Sequence, residues 1–348
     1  MYAFIGDLHL GVKLPNEDYI KSLELFLKTI QQHKEPCHAI FIVGDLFDHR
    51  LTIEESQFAS RFIVQLVCNH CGRNGVTNIP VYFIHGTYSH DLNQYEIYLP
   101  LLKQIDNVNV FYCKQHGEFE LRNGLRVLAI PHENGDIDYS KAFSKSYDMI
   151  VGHGVIVQGT RNPCKANGGV IHSADQLGNI SKLCVFGHYH GYTDFGNGVY
   201  YTGPWLRWQY GEDEQRVFFF CNDKLTVETV VNPFALEYKT VMIANPEELR
   251  EFIATDIQTP HRFIINANKD DINIYRGIIL AEKQNVNVKF QLTTDEEEPV
   301  VEEEIVENVD HSIHPIPALV SYIKDKYGVD ATDKLTEYET QINKETKE

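Results

Sequence analysis

Four times in the chain a short apolar run ends in a glycine followed at once by an aspartate or a histidine. Tyr2–Ile5 leads into Gly6-Asp7-Leu8-His9, and His38–Val43 into Gly44-Asp45-Leu46-Phe47-Asp48. Asp148–Val151 leads into Gly152-His153-Gly154, and Leu183–Phe186 into Gly187-His188-Tyr189-His190-Gly191. Runs this short and this continuously apolar read as buried strands. Two residues apart on an extended chain point to the same side, so Asp7 with His9, and His188 with His190, can each address one site. The glycines let the backbone turn sharply at each strand end. A lone Asp-x-His is more often a turn, and a lone histidine beside an apolar strand is more often a satisfied core residue. Their recurrence in order, each after a strand and each with glycine, points instead to a metal centre of Asp7, His9, Asp45, His153, His188 and His190. Mixed oxygen and nitrogen ligands suit manganese, iron or zinc better than calcium, and a carboxylate such as Asp45 can bridge two ions.

The surrounding pattern fits that placement. Pro80–Ile84 and Leu125–Ile130 read as further strands, and Asn16–Gln32 and Ile53–Val67 as helices, with Tyr19, Leu23, Phe26 and Ile30 on one face of the first. Strand–helix alternation is the signature of a layered α/β fold, whose ligands gather beyond the carboxyl ends of the strands. From Val199 to Val231 the reading changes to strands joined by tight turns, including Arg216–Cys221 and Leu225–Val231, and predicts a second, partly antiparallel sheet. A boundary is expected near Pro233. Beyond it, Leu236–Ile243, Pro246–Ala254, His261–Ala267, Asp271–Glu282 and Val286–Leu292 read as strand, helix, strand, helix, strand. The expected organisation is therefore a main domain over 1–235, a small α+β domain over 236–293, a linker over 294–311 and a helical tail over 312–348. In the tail, Ile316–Tyr327 and Thr332–Ile342 read as short helices separated by Gly328.

The formal charge of −18 argues at first against a nucleic-acid partner. Much of the excess is local, however: Asp295–Asp310 carries nine acids and no base and is too charged to pack. Two divalent ions would also supply positive charge where a phosphate approaches. Seven scattered cysteines fit reduced thiols, and no run approaches the ~20 apolar residues of a membrane span, so a soluble cytoplasmic protein with no membrane partner is expected. Cys68-Asn69-His70-Cys71 has zinc-like spacing without a second pair and reads as helix-terminal thiols. Arg161 and Lys165 read as a solvated loop, and Trp205-Leu206-Arg207-Trp208 as packing rather than a base-stacking platform.

The order GDLH, GDLFD, GTYSHD, GHG and GHYH resembles the calcineurin-like metallophosphoesterases, and the likeness runs over residues 1–231. It implies an αββα sandwich of two sheets between helices and a pair of divalent ions, manganese first, with magnesium, iron or zinc as the alternatives. By the resemblance Asp7, His9, Asp45 and His190 would hold one ion, and Asp45, His153 and His188 the other. His90 would contact the phosphate and protonate the leaving oxygen, with Asp48 or Asp91 orienting it. The family usually has Gly-Asn-His-Asp after the third strand, the Asn being a ligand. Here the segment is Gly86-Thr87-Tyr88-Ser89-His90-Asp91, two residues longer and without Asn. Ser89 takes the Asn position by alignment, with Thr87, His85, a backbone carbonyl or water as substitutes. Within the family the chain is similar to the nuclease subunits of double-strand-break repair complexes, the SbcCD type, and to the bacteriophage recombination endonuclease subunit. That implies a small capping domain and a metal-dependent DNA exonuclease or endonuclease, homodimeric in its complex. It also implies an ATPase partner whose coiled coil docks on the tail. Leu319, Tyr322 or Ile323, and Tyr327 form one apolar tail face, and Leu335, Tyr338 and Ile342 another. The alternatives are a phosphoesterase for small molecules or phosphoproteins, and a weakened scaffold.

Overall fold

Strand β1 (Tyr2–Ile5) has no solvent-facing side: Ala3 and Ile5 join one apolar cluster, Tyr2 and Phe4 another. A strand buried on both faces reads as a continuous apolar run rather than an alternating one, which is why such strands stand out in this sequence. The computed structural model describes residues 1–12, 16–68, 79–105, 108–135, 137–159, 170–208, 212, 215–235, 239–254, 261–266, 274–275, 278–279 and 288–293. It divides the chain into two compact units, Met1–Lys239 and Thr240–Glu348.

In chain order the first unit contains, after β1, helix α1 (Asn16–Gln32), β2 (Ala39–Val43), α2 (Ile53–Val67), β3 (Val81–Ile84), α3 (Tyr88–Asp91), α4 (Tyr95–Leu102), β4 (Val110–Cys113), β5 (Gly117–Glu120) and β6 (Arg126–Ile130). Next come α5 (Ser140–Phe143), β7 (Tyr147–His153), β8 (Val155–Val157), β9 (Ile171–Ser173), α6 (Ala174–Ile180), β10 (Ser181–Gly187), β11 (Thr193–Gly196), β12 (Val199–Tyr201), β13 (Val217–Cys221) and β14 (Val227–Val231). One sheet has the order β14-β13-β1-β2-β3-β4, parallel from β1 to β4 and antiparallel through β13 and β14. The other has the order β11-β12-β10-β7-β6-β5, parallel from β12 to β6 and antiparallel at both edges.

Alternate residues on each central strand sort the side chains into three layers. Phe41, Val43, Val127, Ala129, Met149, Val151, Leu183 and Val185 meet between the sheets. Ile40 and Ile42 pack with Phe26 of α1 and Phe62 of α2 on the outside of the first sheet, and Leu128, Ile150, Cys184 and Phe186 with Leu177 of α6 on the outside of the second. The result is the expected αββα sandwich. Helix α2 begins with a reciprocal capping box, Thr52 Oγ accepting from Glu55 N–H and Glu55 Oε2 from Thr52 N–H.

The edge strands β4 and β5 depart from the sequence reading, which named neither. Phe111 is exposed and β5 is Gly-Glu-Phe-Glu, so neither gives the apolar run that betrays a central strand. Strand β7 also extends through Gly152 to His153, carrying that histidine in its last register pair with Gly187.

In the second unit β15 (Lys239–Ile243), β16 (His261–Asn266) and β17 (Val288–Thr293) form a sheet in that order, β16 and β17 parallel. Helix α7 (Pro246–Ala254) buries Leu249 and Phe252. The expected linker over 294–311, the tail over 312–348, the Asn69–Cys71 part of the cysteine pair and the Arg161–Lys165 loop lie outside the described residues. Among the described residues no helix is long and apolar enough to cross a membrane.

Candidate metal centre

The parallel strands of each sheet deliver their carboxyl ends to one place. Just past β1 stand Asp7 and His9, past β2 Asp45 and Asp48, and past β3 Thr87 and His90. His153 ends β7, and His188 and His190 follow β10. The backbones come close enough there that only glycine fits: a Cβ on Gly44, whose φ is +83°, would lie 2.2 Å from His153 Nδ1. Asp7, His9, Asp45 and His188 themselves take positive φ of 50°, 45°, 47° and 106°. That conformation costs a non-glycine residue of order 1–3 kcal/mol and persists at sites that use it.

Three groups of donor atoms result, each with its members within 4.8 Å of one another: Asp7, His9 and His190; Asp45, His153 and His188; and His9, Asp48 and His90. Six of the seven expected metal ligands thus fall into the first two groups, and the seventh, Ser89, is in neither. Asp45, shared between two ions in the resemblance, stands with the second.

The imidazoles are aimed by their far nitrogens. His153 Nδ1 lies 2.8 Å from the Val43 carbonyl, which can only accept, so a proton sits there and Nε2, 3.2 Å from Asp45 Oδ2, is the nitrogen that faces the site. His190 Nδ1 is 3.1 Å from Glu212 Oε1, which leaves its Nε2 facing His9 Nε2 at 3.0 Å. His9 Nδ1 is 3.2 Å from Asp48 Oδ1, close but without the alignment of a hydrogen bond. Each arrangement turns lone pairs toward a common point that a cation would satisfy. Asp7 adds to this: its Oδ1 accepts from His188 N–H at 2.8 Å, while buried Oδ2 has no hydrogen-bond partner. This donor set fits divalent ions.

The pKa values carry the same signature. Burial pushes the Asp7 carboxyl up. At His153 burial acts to lower the pKa, but the Asp45 charge and hydrogen bond prevail and raise it to about 9. Burial likewise opposes ionisation of Asp45, yet the charge and hydrogen bond of His153 hold it well below the usual carboxylate range. The pocket therefore draws in positive charge, which a proton supplies when no metal does.

Three expected residues take other places. Ser89 is exposed on α3, whereas Thr87 reaches the second group, its Oγ1 3.2 Å from Asp45 Oδ2. Asp91 is fully buried and does not orient His90. It accepts from Phe47 N–H at 3.2 Å and Gly86 N–H at 2.7 Å, clamping the β2 and β3 loops together. Asp48 orients His90 through its main chain, His90 Nδ1 lying 2.6 Å from the Asp48 carbonyl, while its carboxylate serves His9 and His49.

Glu212 is a site residue that the sequence reading lacked. Besides holding His190, it accepts from Arg216 at 2.7 Å and from Trp208 N–H at 2.8 Å. Nothing in the local sequence marks it. Of the nearby aromatics, Trp205 is core as expected, and Trp208 stacks on Tyr19 and donates from its indole nitrogen to the Asp7 carbonyl at 3.1 Å.

The sequence profile described as Calcineurin-like phosphoesterase matches residues 2–192, a span that contains every expected site residue. No curated protein matches. Among solved structures, a hypothetical protein from Thermus thermophilus aligns over 66% of this chain and 98% of its own, at 12% identity and a TM-score of 0.35, a likeness too slight to carry an argument.

Proposed function

The chain belongs to the calcineurin-like phosphoesterase family, and from that premise we propose that it is a two-ion phosphodiesterase that cleaves DNA as the nuclease subunit of a repair and recombination complex. The reading is carried by the convergence of Asp7, His9 and His190, and of Asp45, His153 and His188, at the carboxyl ends of both sheets with His90 beside them. The first three would hold one ion and the second three the other. Two divalent ions held there, manganese by preference, would offset the charge of an anionic phosphate and would lower the pKa of a water toward neutrality.

The remaining roles belong to the chain's own side chains. His90 packs edge-on against His9 with ring centroids 4.9 Å apart. Its Nδ1–H is committed to the Asp48 carbonyl, so Nε2 is the nitrogen that exchanges a proton, and His90 is half-buried at the rim of the centre. Protonated, it gives that proton to the leaving oxygen of the cleaved ester. Asp48 fixes both rings, one through each of its chemical faces. Asp91 keeps the loop bearing His90 against the loop bearing Asp48.

DNA as the substrate is supported by the order of the motifs and by the α+β unit that follows the sandwich. A homodimer joined through its tail to the coiled coil of an ATPase accords with the same resemblance, and such a partner would supply the basic surface that a chain of charge −18 lacks. The test is a substrate panel in manganese: single- and double-stranded DNA, an aryl phosphodiester, an aryl phosphomonoester and a phosphopeptide. Cleavage of DNA and the diester is expected. Turnover of the monoester or phosphopeptide with DNA intact would replace this reading by that of a small-molecule or phosphoprotein phosphoesterase, and inertness toward all of them, by that of a scaffold.

A further inference from the structure

Thr87 stands where a helix-capping residue belongs and does not cap. It precedes α3 with extended backbone angles, the usual N-cap conformation, yet its hydroxyl makes no hydrogen bond to the helix. Instead Oγ1 lies 3.2 Å from Asp45 Oδ2, 3.3 Å from His153 Nε2 and 3.4 Å from His188 Nδ1. One hydroxyl has one proton and two lone pairs, so all three contacts can be hydrogen bonds only if both imidazoles turn an N–H toward it. The contact to Asp45 is long beside the ~2.7–2.8 Å of a well-formed O–H···O bond, and the two to the imidazoles are long beside the ~2.9–3.0 Å usual between nitrogen and oxygen. Such a geometry is poor for a hydrogen-bonded network and suited to donor atoms gathered around a cation.

The loop is built to keep the hydroxyl there. Thr87 N–H donates to Asp45 Oδ1 at 2.5 Å, and Gly86 N–H donates to the buried carboxylate of Asp91 at 2.7 Å. A Cβ at Gly86 would lie 2.3 Å from Asp45 Oδ1, so only glycine lets this backbone lie against that carboxylate. Thr87 is itself 9% exposed.

We infer that Thr87 Oγ is a ligand of the second ion, completing the set begun by Asp45, His153 and His188. The inference rests on the two-ion reading above, and its test separates the two. Manganese binding to the full chain is titrated and counted for the wild type, Thr87→Ser and Thr87→Val. Wild type and Thr87→Ser bind two ions alike, whereas Thr87→Val keeps the first and weakens the second by at least ~10-fold, the lower range for losing even an outer partner of a metal site. A complementary variant reports ligation directly: Thr87→Cys titrated with cadmium gains a sulfur-to-metal charge-transfer absorption beyond that of wild type and of Ser89→Cys. Two ions bound with unchanged affinity in Thr87→Val, or no added absorption in Thr87→Cys, overturns Thr87 as a ligand and leaves the two-ion centre standing. Fewer than two ions in the wild type overturns both.

Discussion

Replacing Glu212 with alanine removes one carboxylate from His190, Arg216 and the Trp208 N–H at once, and the first two consequences are read separately. Arg216 is 2% exposed, and its Nη2 lies 2.7 Å from Glu212 Oε2, so the substitution breaks a buried ion pair. Breaking a buried ion pair in this way costs about 3–5 kcal/mol. At about 2–4 °C per kcal/mol for a domain of this size, the metal-free protein should melt roughly 6–20 °C lower. The same carboxylate holds His190 Nδ1 at 3.1 Å, and loss of such an orienting partner typically lowers metal affinity by about 10–100-fold. Glu212→Gln, which retains an acceptor, should lie between wild type and alanine in both measurements. The Glu212 carboxyl is held below its usual range: burial opposes this, and the His190 hydrogen bond and the Arg216 charge prevail. Its stabilisation is thus present above the unfolded pKa of ~4.3 and is lost as pH falls through the folded value. Thermal melts of metal-free protein and manganese titrations provide the assay. Wild-type manganese affinity in Glu212→Ala would refute the orienting role, and an unchanged melting temperature would refute the buried pair.

His90→Ala should keep the fold and both ions while cleavage falls ~10²–10⁴-fold, measured on the aryl phosphodiester; a loss under about tenfold would remove His90 as the proton donor. His172, packed among Tyr139, Phe143 and Phe186, has its pKa lowered to about 4 by burial, against a small opposing effect of Glu133. The unfolded chain therefore takes up a proton there that the folded chain refuses, and stability falls as pH drops from ~6.5 toward 4; His172→Phe should flatten that slope by up to ~1.4 kcal/mol per pH unit in chemical denaturation. Cutting the chain after Asn308 should leave the proposed metal-dependent cleavage of short DNA intact and abolish co-purification with the proposed ATPase partner, whereas a truncated chain that still binds such an ATPase would place the docking site elsewhere.

The sandwich was legible because its central strands are buried on both faces. Phe4, Ile42, Val151 and Val185 sit in runs with no polar alternation, and each run ends where a glycine permits the turn. The edge strands β4 and β5 face solvent and carry no such signal. The aspartates and histidines of the centre were legible for a related reason, since a charged group at the mouth of a buried strand has few purely structural uses. The hydroxyl of Thr87 and the carboxylate of Glu212 belong to residue types common in loops. Their meaning lies in contacts to Asp45 and His190 across 42 and 22 positions: the motif offered Thr87 only as one of several substitutes for the missing Asn, and no local pattern records Glu212. Asp48 and Asp91 were expected to orient His90 through a carboxylate, but alignment with a motif does not say which atom does the work. The Asp48 carbonyl, not its carboxylate, meets His90, and Asp91 is turned into the protein by two backbone N–H groups.

The central claim is that two divalent ions sit between these strand ends. Anomalous diffraction at the manganese edge from crystals of the full chain grown with manganese tests it most directly. Two peaks are expected, about 3.5–4 Å apart, one among Asp7, His9 and His190 and the other among Asp45, His153, His188 and Thr87. A single peak, or peaks away from these residues at saturating manganese, would contradict the account.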